Sequence, residues 1–168
     1  MVLQVTEKKE TKCVGMGEIA VSKTPGAVLS CIGLGSCVAV CMYDAASKVG
    51  GVAHVVLPKY DGKPNDNLGK YADTAVPLLL EEMARCGSQT SRLSVKLAGG
   101  AEMCLARGAT NIFKTGEKNV HEVMAALTKI GLRPAATDVG GNKGRTVRMF
   151  LDDGRMTIRI LGGTEQDL

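Results

Sequence analysis

Apolar residues in this chain come mostly in short Val-rich runs bounded by glycine or turn formers, the pattern of strands. Two such runs lie at the centre. One is Val38-Ala39-Val40-Cys41-Met42-Tyr43, entered through Gly33-Leu34-Gly35-Ser36-Cys37. The other is Gly51-Val52-Ala53-His54-Val55-Val56-Leu57, closed by Pro58. Asp44-Ala45-Ala46-Ser47 between them suits a four-residue hairpin loop. That loop pairs Tyr43 with Lys48 and, counting back along both strands, Cys37 with His54. Directly opposed residues of an antiparallel pair have Cβ atoms roughly 4.5–5.5 Å apart. A three-residue loop would shift the register by one and turn His54 to the other face.

The flanking pattern is read in the same way. Residues 13–23 form a first strand, in which Gly15-x-Gly17 marks a bulge or a close backbone approach. Thr24-Pro25-Gly26 is a turn with Pro and Gly at the positions type II favours. Residues 27–32 form the next strand and lead into the glycine loop. Residues 59–67 are dense in turn formers and read as a surface loop that can rim a site. Over 69–86, Ala72, Ala75, Val76, Leu79, Leu80 and Met83 recur at helical spacing, and Gly87 is the stop. Pro77 within that pattern predicts a kink or a later start. Residues 119–130 form a second helix with Val120, Val123, Met124 and Leu127 on one face and Gly131 as the stop. Further strands are expected at 93–97, 132–139, 145–151 and 155–161, the last two joined through Asp152-Asp153-Gly154. Residues 101–106 read as a short helical turn, and 1–11 as a flexible tail. About seven strands cluster at both ends of the chain around two longer helices. The expected fold class is therefore α+β, with packed mixed and antiparallel β-sheets flanked by the two helices. The whole chain, 1–168, reads as one domain without repeats or a linker.

Composition narrows the picture. Aromatics are scarce, at three Tyr, two Phe and no Trp, which argues against stacking on single-stranded nucleic acid. The net charge of +4 arises from scattered residues and reads as a solvated surface, so no nucleic-acid partner is expected. The N-terminal stretch has no apolar signal core, and no apolar run reaches the ~18 residues of a membrane span. The expected location is the cytoplasm, with reduced thiols. The six cysteines, Cys13, Cys31, Cys37, Cys41, Cys86 and Cys104, make no Cys-x-x-Cys pair and match no zinc spacing. No metal or other cofactor is expected, and most of these thiols read as small buried hydrophobes.

Candidate chemistry centres on Cys37. A free thiol needs a base or a dipole to become a nucleophile, and His54 is the base on offer. A satisfied core histidine is the alternative reading of His54. His121, beside Glu122, is assigned to the surface. Gly33, Gly35 and Ser36 supply flexible backbone that can aim N–H groups at an oxyanion, or simply a turn needing positive φ. This is no dinucleotide loop, because Val38 stands where the third glycine belongs. Gly140-Gly141-Asn142-Lys143-Gly144-Arg145 could cradle an anion or form a mobile surface turn. Asp138, Asp152 and Asp153 make no carboxylate pair.

Taken in order, five segments resemble the CheD family of chemoreceptor glutamine deamidases: Gly33–Val40, Gly50–Pro58, Lys70-Tyr71-Ala72-Asp73-Thr74-Ala75, Ala98-Gly99-Gly100-Ala101 and Asp138-Val139-Gly140-Gly141. The resemblance spans roughly residues 13 to 163. It implies a chemotaxis enzyme that hydrolyses side-chain amides of selected glutamines on methyl-accepting receptors, with methyl esters at the same sites as a further possibility. It also implies a fold similar to a bacterial toxin deamidase and a partner of the CheC phosphatase family. Matched by position, the family's nucleophile is Cys37 and its base His54. The family's third catalytic residue, a threonine, falls on Cys31. A thiol is a weak hydrogen-bonding partner, so orientation of His54 passes either to the backbone of Cys31 or to Ser30. Cys104 stands where an aromatic residue is expected. Two other functions are compatible with these residues. One is a catalytically weak binding module that regulates CheC or receptors. The other is a cysteine amidohydrolase of small amides.

Overall fold

The structure is a computed structural model describing residues 10–103 and 114–168. Among the described residues ten strands form two five-stranded mixed sheets, accompanied by two α-helices. In chain order the elements are β1 (Thr11–Cys13), β2 (Ile19–Ser22), β3 (Val28–Leu34), β4 (Val38–Asp44), β5 (Val49–Val55), α1 (Ala72–Arg85), β6 (Leu93–Gly99), α2 (Thr115–Lys129), β7 (Ala136–Val139), β8 (Arg145–Phe150), β9 (Met156–Ile160) and β10 (Glu165–Asp167). One sheet runs β1-β3-β8-β9-β10 and the other β2-β5-β4-β6-β7. The α+β class and the two flanking helices are as expected.

Layering explains the uninterrupted apolar runs. Every residue of β4 and β5 is buried. Val38, Val40 and Met42 of β4 pack with Ala53 and Val55 against Ala75, Val76, Leu79 and Met83 of α1 and Val123 and Leu127 of α2. The alternate residues Ala39, Cys41 and Val52 pack against Leu29, Cys31, Val147 and Met149 of the first sheet. The β4–β5 ribbon is thus a middle layer, apolar on both faces. Side-chain alternation survives only as a choice of which core each residue enters.

The hairpin register differs from expectation. Asp44 pairs with Val49, Tyr43 with Gly50 and Ala39 with His54, so Ala39, not Cys37, opposes the histidine. The loop is Ala45–Lys48, one residue later than expected, with Lys48 at φ +52°. Asp44 is the reason. Its side chain is fully buried, bonded by the Arg92 guanidinium and by the backbone N–H groups of Ala46, Ser47 and Gln89. A carboxylate so engaged ends the strand and does not join the loop. The shift is two residues, so Cys37 and His54 still share one face, as diagonal neighbours.

Other differences follow from the two-sheet plan. The expected first strand is split into β1 and β2, which belong to different sheets; the glycines at 15 and 17 lie where the chain crosses over. The close approach expected there is real: a Cβ on Gly17 would meet Lys70 Cγ at 2.7 Å. α1 begins at Ala72, with Pro77 inside it. It ends at Gly87 (φ +101°), where Gly87 N–H donates to Ala84 O and Ser88 N–H to Met83 O, a Schellman closure. α2 starts a turn earlier than expected. It buries Gly116, Asn119, Val123, Ala126 and Leu127, leaving Met124 exposed. β10 was not foreseen, because its three residues are polar. Residues 101–103 are irregular, not helical; the remainder of that expected turn, with Cys104, lies outside the described residues, as do residues 1–9. Arg145 turns inward, donating to Gly99 O at 2.6 Å and Gly140 O at 2.8 Å, so the 140–145 loop lacks the second cation an anion cradle needs.

Two predictions test this packing. A Cβ on Gly51 would sit 2.7 Å from Leu79 Cδ1. Gly51→Ala should cost about 1–3 kcal/mol by overpacking and Leu79→Ala about 2–5 kcal/mol by cavity formation. The double variant should cost clearly less than the sum, because truncating Leu79 makes room for the new methyl; urea unfolding measures all three. The second concerns Asp44. The Arg92 guanidinium holds its carboxyl well below the usual range. Stability from this depressed group is present above the ordinary carboxylate pKa and is lost as pH falls below about 4. Arg92→Met should therefore lower the thermal midpoint by several degrees at neutral pH, and the gap should close in acid.

Candidate active site

Cys37 lies between the glycine loop and β4, half-buried at the edge of the core between the sheets. Its carbonyl accepts from Gly100 N–H at 2.7 Å. Glycine at 99 permits this contact: its φ is +116°, and a Cβ there would lie 2.1 Å from the Cys37 carbonyl oxygen. Burial pushes the Cys37 thiol above its ordinary value, opposed by the residue's own backbone N–H. Burial therefore favours the thiol form of Cys37 over the thiolate.

His54 is 4% exposed and sits on the same face of the β4–β5 ribbon. Its Nδ1 is 2.9 Å from the Val14 carbonyl oxygen. A carbonyl only accepts, so Nδ1 carries a proton, and in the neutral imidazole the lone pair is then on Nε2. Nε2 is buried and has no hydrogen-bond partner among the described residues, the Cys37 thiol included. The imidazole is fixed at one nitrogen and open at the other. Its own backbone is held on both sides, His54 N–H donating to Glu18 O at 3.0 Å and His54 O accepting from Gly17 N–H at 2.9 Å.

Cys31 is fully buried on β3, opposite Val147 of β8, and burial pushes its thiol far up. The orienting bond to His54 comes from Val14, not from this side chain. Position 30 acts one step further back: Ser30 O accepts from Val14 N–H at 2.7 Å, tying β3 to the carbonyl that holds the histidine.

The Gly33–Ser36 loop is held at several points. Gly33, at φ +68°, donates to Thr146 Oγ1 at 3.4 Å. Gly35 O accepts from Ala101 N–H at 2.8 Å, and Ser36 O accepts from Asn119 Nδ2 at 2.9 Å. The amides of Gly35, Ser36 and Cys37 donate to no other described residue. Met16, Ile32 and Met103 are exposed apolar side chains on the segments around this loop. A cleft of about 460 Å³ lined by Pro58, Lys59, Lys118, His121 and Glu122 lies apart from the cysteine and the histidine. His121 is at the surface, as expected, 3.5 Å from Glu122.

Sequence reasoning missed Val14 and Asn119. A backbone carbonyl leaves no residue-type signal. Asn119 did leave one, a polar residue three positions after Gly116 and four before Val123 on the buried stripe of α2. Among the described residues no cluster of three or more His, Cys, Asp or Glu could hold a metal ion, and no helix is long and apolar enough to cross a membrane.

Residues 56–160 match the model of a family described as CheD chemotactic sensory transduction. The chain is 46% identical over 155 residues to the chemoreceptor glutamine deamidase CheD of Thermotoga maritima, covering 92% of this chain and 95% of that protein. An aligned stretch of that length spans both Cys37 and His54. It is 43% identical over 151 residues to a probable chemoreceptor glutamine deamidase CheD of Caldanaerobacter subterraneus, covering 89% of this chain and 92% of the relative. The solved structure of the hypothetical protein YfiH of Bacillus licheniformis is a distant likeness, with 12% identity and a TM-score of 0.44 over 83% of this chain and 61% of that one. The family model covers more than half of the chain and the relatives nearly all of it: the chain belongs to the CheD family.

Proposed function

We propose that this protein is a chemoreceptor glutamine deamidase in which Cys37 is the nucleophile and His54 the general base and acid. The activity follows from membership of the CheD family, whose relatives carry that name. The observation that supports the residue roles is the state of His54, with Nδ1–H committed to Val14 O and Nε2 unpartnered on the face it shares with Cys37.

Because burial disfavours the thiolate, the proton leaves Cys37 as the bond to carbon forms. His54 Nε2 takes that proton while sulfur attacks the carboxamide carbon of a receptor glutamine. Negative charge develops on the amide oxygen and is met by N–H groups of the 35–37 loop. The tetrahedral intermediate collapses, the C–N bond breaks, and His54 returns its proton to the leaving ammonia. Water then attacks the thioester with His54 again as base. The products are glutamate and the free thiol. The action is proposed to be cytoplasmic. A phosphatase of the CheC type is proposed as a second partner on the family resemblance.

Mass spectrometry of a purified receptor cytoplasmic fragment is the direct test. Wild-type protein should add about 1 Da per converted amide, whereas Cys37→Ala and His54→Ala should add none above background. Unchanged receptor after incubation with the wild type would instead favour a regulatory binding module. A second prediction concerns position 31. With His54 oriented by a carbonyl, Cys31→Thr and Cys31→Ala should both stay within a few-fold of wild-type turnover. A large gain on restoring threonine would show that the side chain at 31 acts on the histidine.

A further inference from the structure

Asn119 is a fully buried polar residue on the apolar stripe of α2, and its side-chain nitrogen makes two bonds to backbone. Nδ2 donates to Ser36 O at 2.9 Å and to Val56 O at 2.9 Å. One amide group thus joins the loop that delivers the cysteine to the end of the strand that carries the histidine. These two bonds also fix the orientation of the amide, because a carbonyl accepts only from a nitrogen. Among the described residues Oδ1 is buried without a partner. An acceptor left this way costs roughly 1–3 kcal/mol, and an apolar residue here would avoid that cost. Packing alone does not account for asparagine.

The geometry of the peptide unit supplies a reason. Ser36 C=O and Cys37 N–H belong to one planar trans unit and point in opposite directions. Holding the carbonyl toward α2 therefore aims the Cys37 N–H away from the helix, toward the side of its own thiol. The other end of Cys37 is held by Gly100 N–H. We infer that Asn119 is a positioning residue for the deamidase reaction: by holding Ser36 O and Val56 O together, it aims the Cys37 N–H at the oxygen of the scissile carboxamide and keeps the nucleophile in register with His54. This rests on the reading of Cys37 as nucleophile. Asn119 itself touches no reacting atom.

The test uses full-length protein with Asn119→Leu, Asn119→Gln and, as a control on the same helix, Leu127→Ala. Three quantities are read: kcat and KM for a receptor fragment, the rate of Cys37 alkylation by iodoacetamide against pH, and the thermal midpoint. Asn119→Leu should lower kcat about 10- to 100-fold, at or below the effect of losing one oxyanion donor, with KM within about twofold. It should also move the alkylation profile to higher pH, because the Cys37 N–H no longer faces the thiolate. Asn119→Gln should recover part of both effects. Leu127→Ala should lower the thermal midpoint and leave kcat and the alkylation profile as in wild type. If Asn119→Leu lowers only the thermal midpoint, as the control does, the positioning role is overturned. If wild type itself deamidates nothing, the nucleophile reading is overturned, a result distinct from an alkylation profile that Asn119 does not move.

Discussion

The β4–β5 ribbon is buried on both faces, and the rest of the molecule is arranged to cover it. The helices close one side and the β1-β3-β8-β9-β10 sheet closes the other. Two adjacent glycines mark how tight this is. A Cβ on Gly50 would lie 2.3 Å from Leu151 of the first sheet's side, and one on Gly51 would lie 2.7 Å from Leu79 of α1. A middle layer of this kind has no water to satisfy stray polar groups, so polar residues there have to be paired. Asp44 ends one strand of the ribbon in a network with Arg92 and three backbone amides. His54, near the opposite end, is left half-paired.

That asymmetry underlies the chemistry proposed for Cys37 and His54. A buried thiol resists ionisation, and a buried imidazole with a fixed proton on Nδ1 offers its lone pair in one direction only. In the free protein burial disfavours the Cys37 thiolate. In the proposed mechanism the pair reacts when substrate brings the carbon atom, the thiol and the base together, which suits an enzyme acting on a few amides of a large receptor. The precision comes from backbone. Val14 O sets the histidine, Gly100 N–H holds the Cys37 carbonyl, and Arg145 pins Gly99 O beside it. β1, β3, β6, β8 and α2 all converge on these few peptide groups, so the site is a property of the layered fold and not of one loop.

The side chain at position 31 illustrates the same point. A threonine there could orient the histidine through its hydroxyl. In this chain the thiol of Cys31 faces the core between the sheets, and the strand still contributes, because Ser30 O holds the Val14 amide. Substitution of a side chain leaves that main-chain relay in place.

The sequence by itself determined the strands of the centre, both helices with their glycine stops, the Asp152-Asp153-Gly154 hairpin, the α+β class and the placement of Cys37 and His54 on one face, though not as direct partners. These are local or periodic features: turn chemistry, a 3.6-residue stripe and a two-residue alternation each write themselves into neighbouring residues. Parity survived even the error in hairpin register, because a slip of two residues preserves the face. The tertiary structure alone decided which sheet each half of the first strand joins, where the hairpin loop closes, and what holds the site. Asp44 ends β4 because Arg92, 48 residues later, reaches its carboxylate. His54 is oriented by a carbonyl 40 residues away, and the Ser36 peptide by an asparagine 83 residues away. Every residue has the same carbonyl and amide, so contacts made through them leave no trace in residue identity, and only the packing of distant elements brings them within reach.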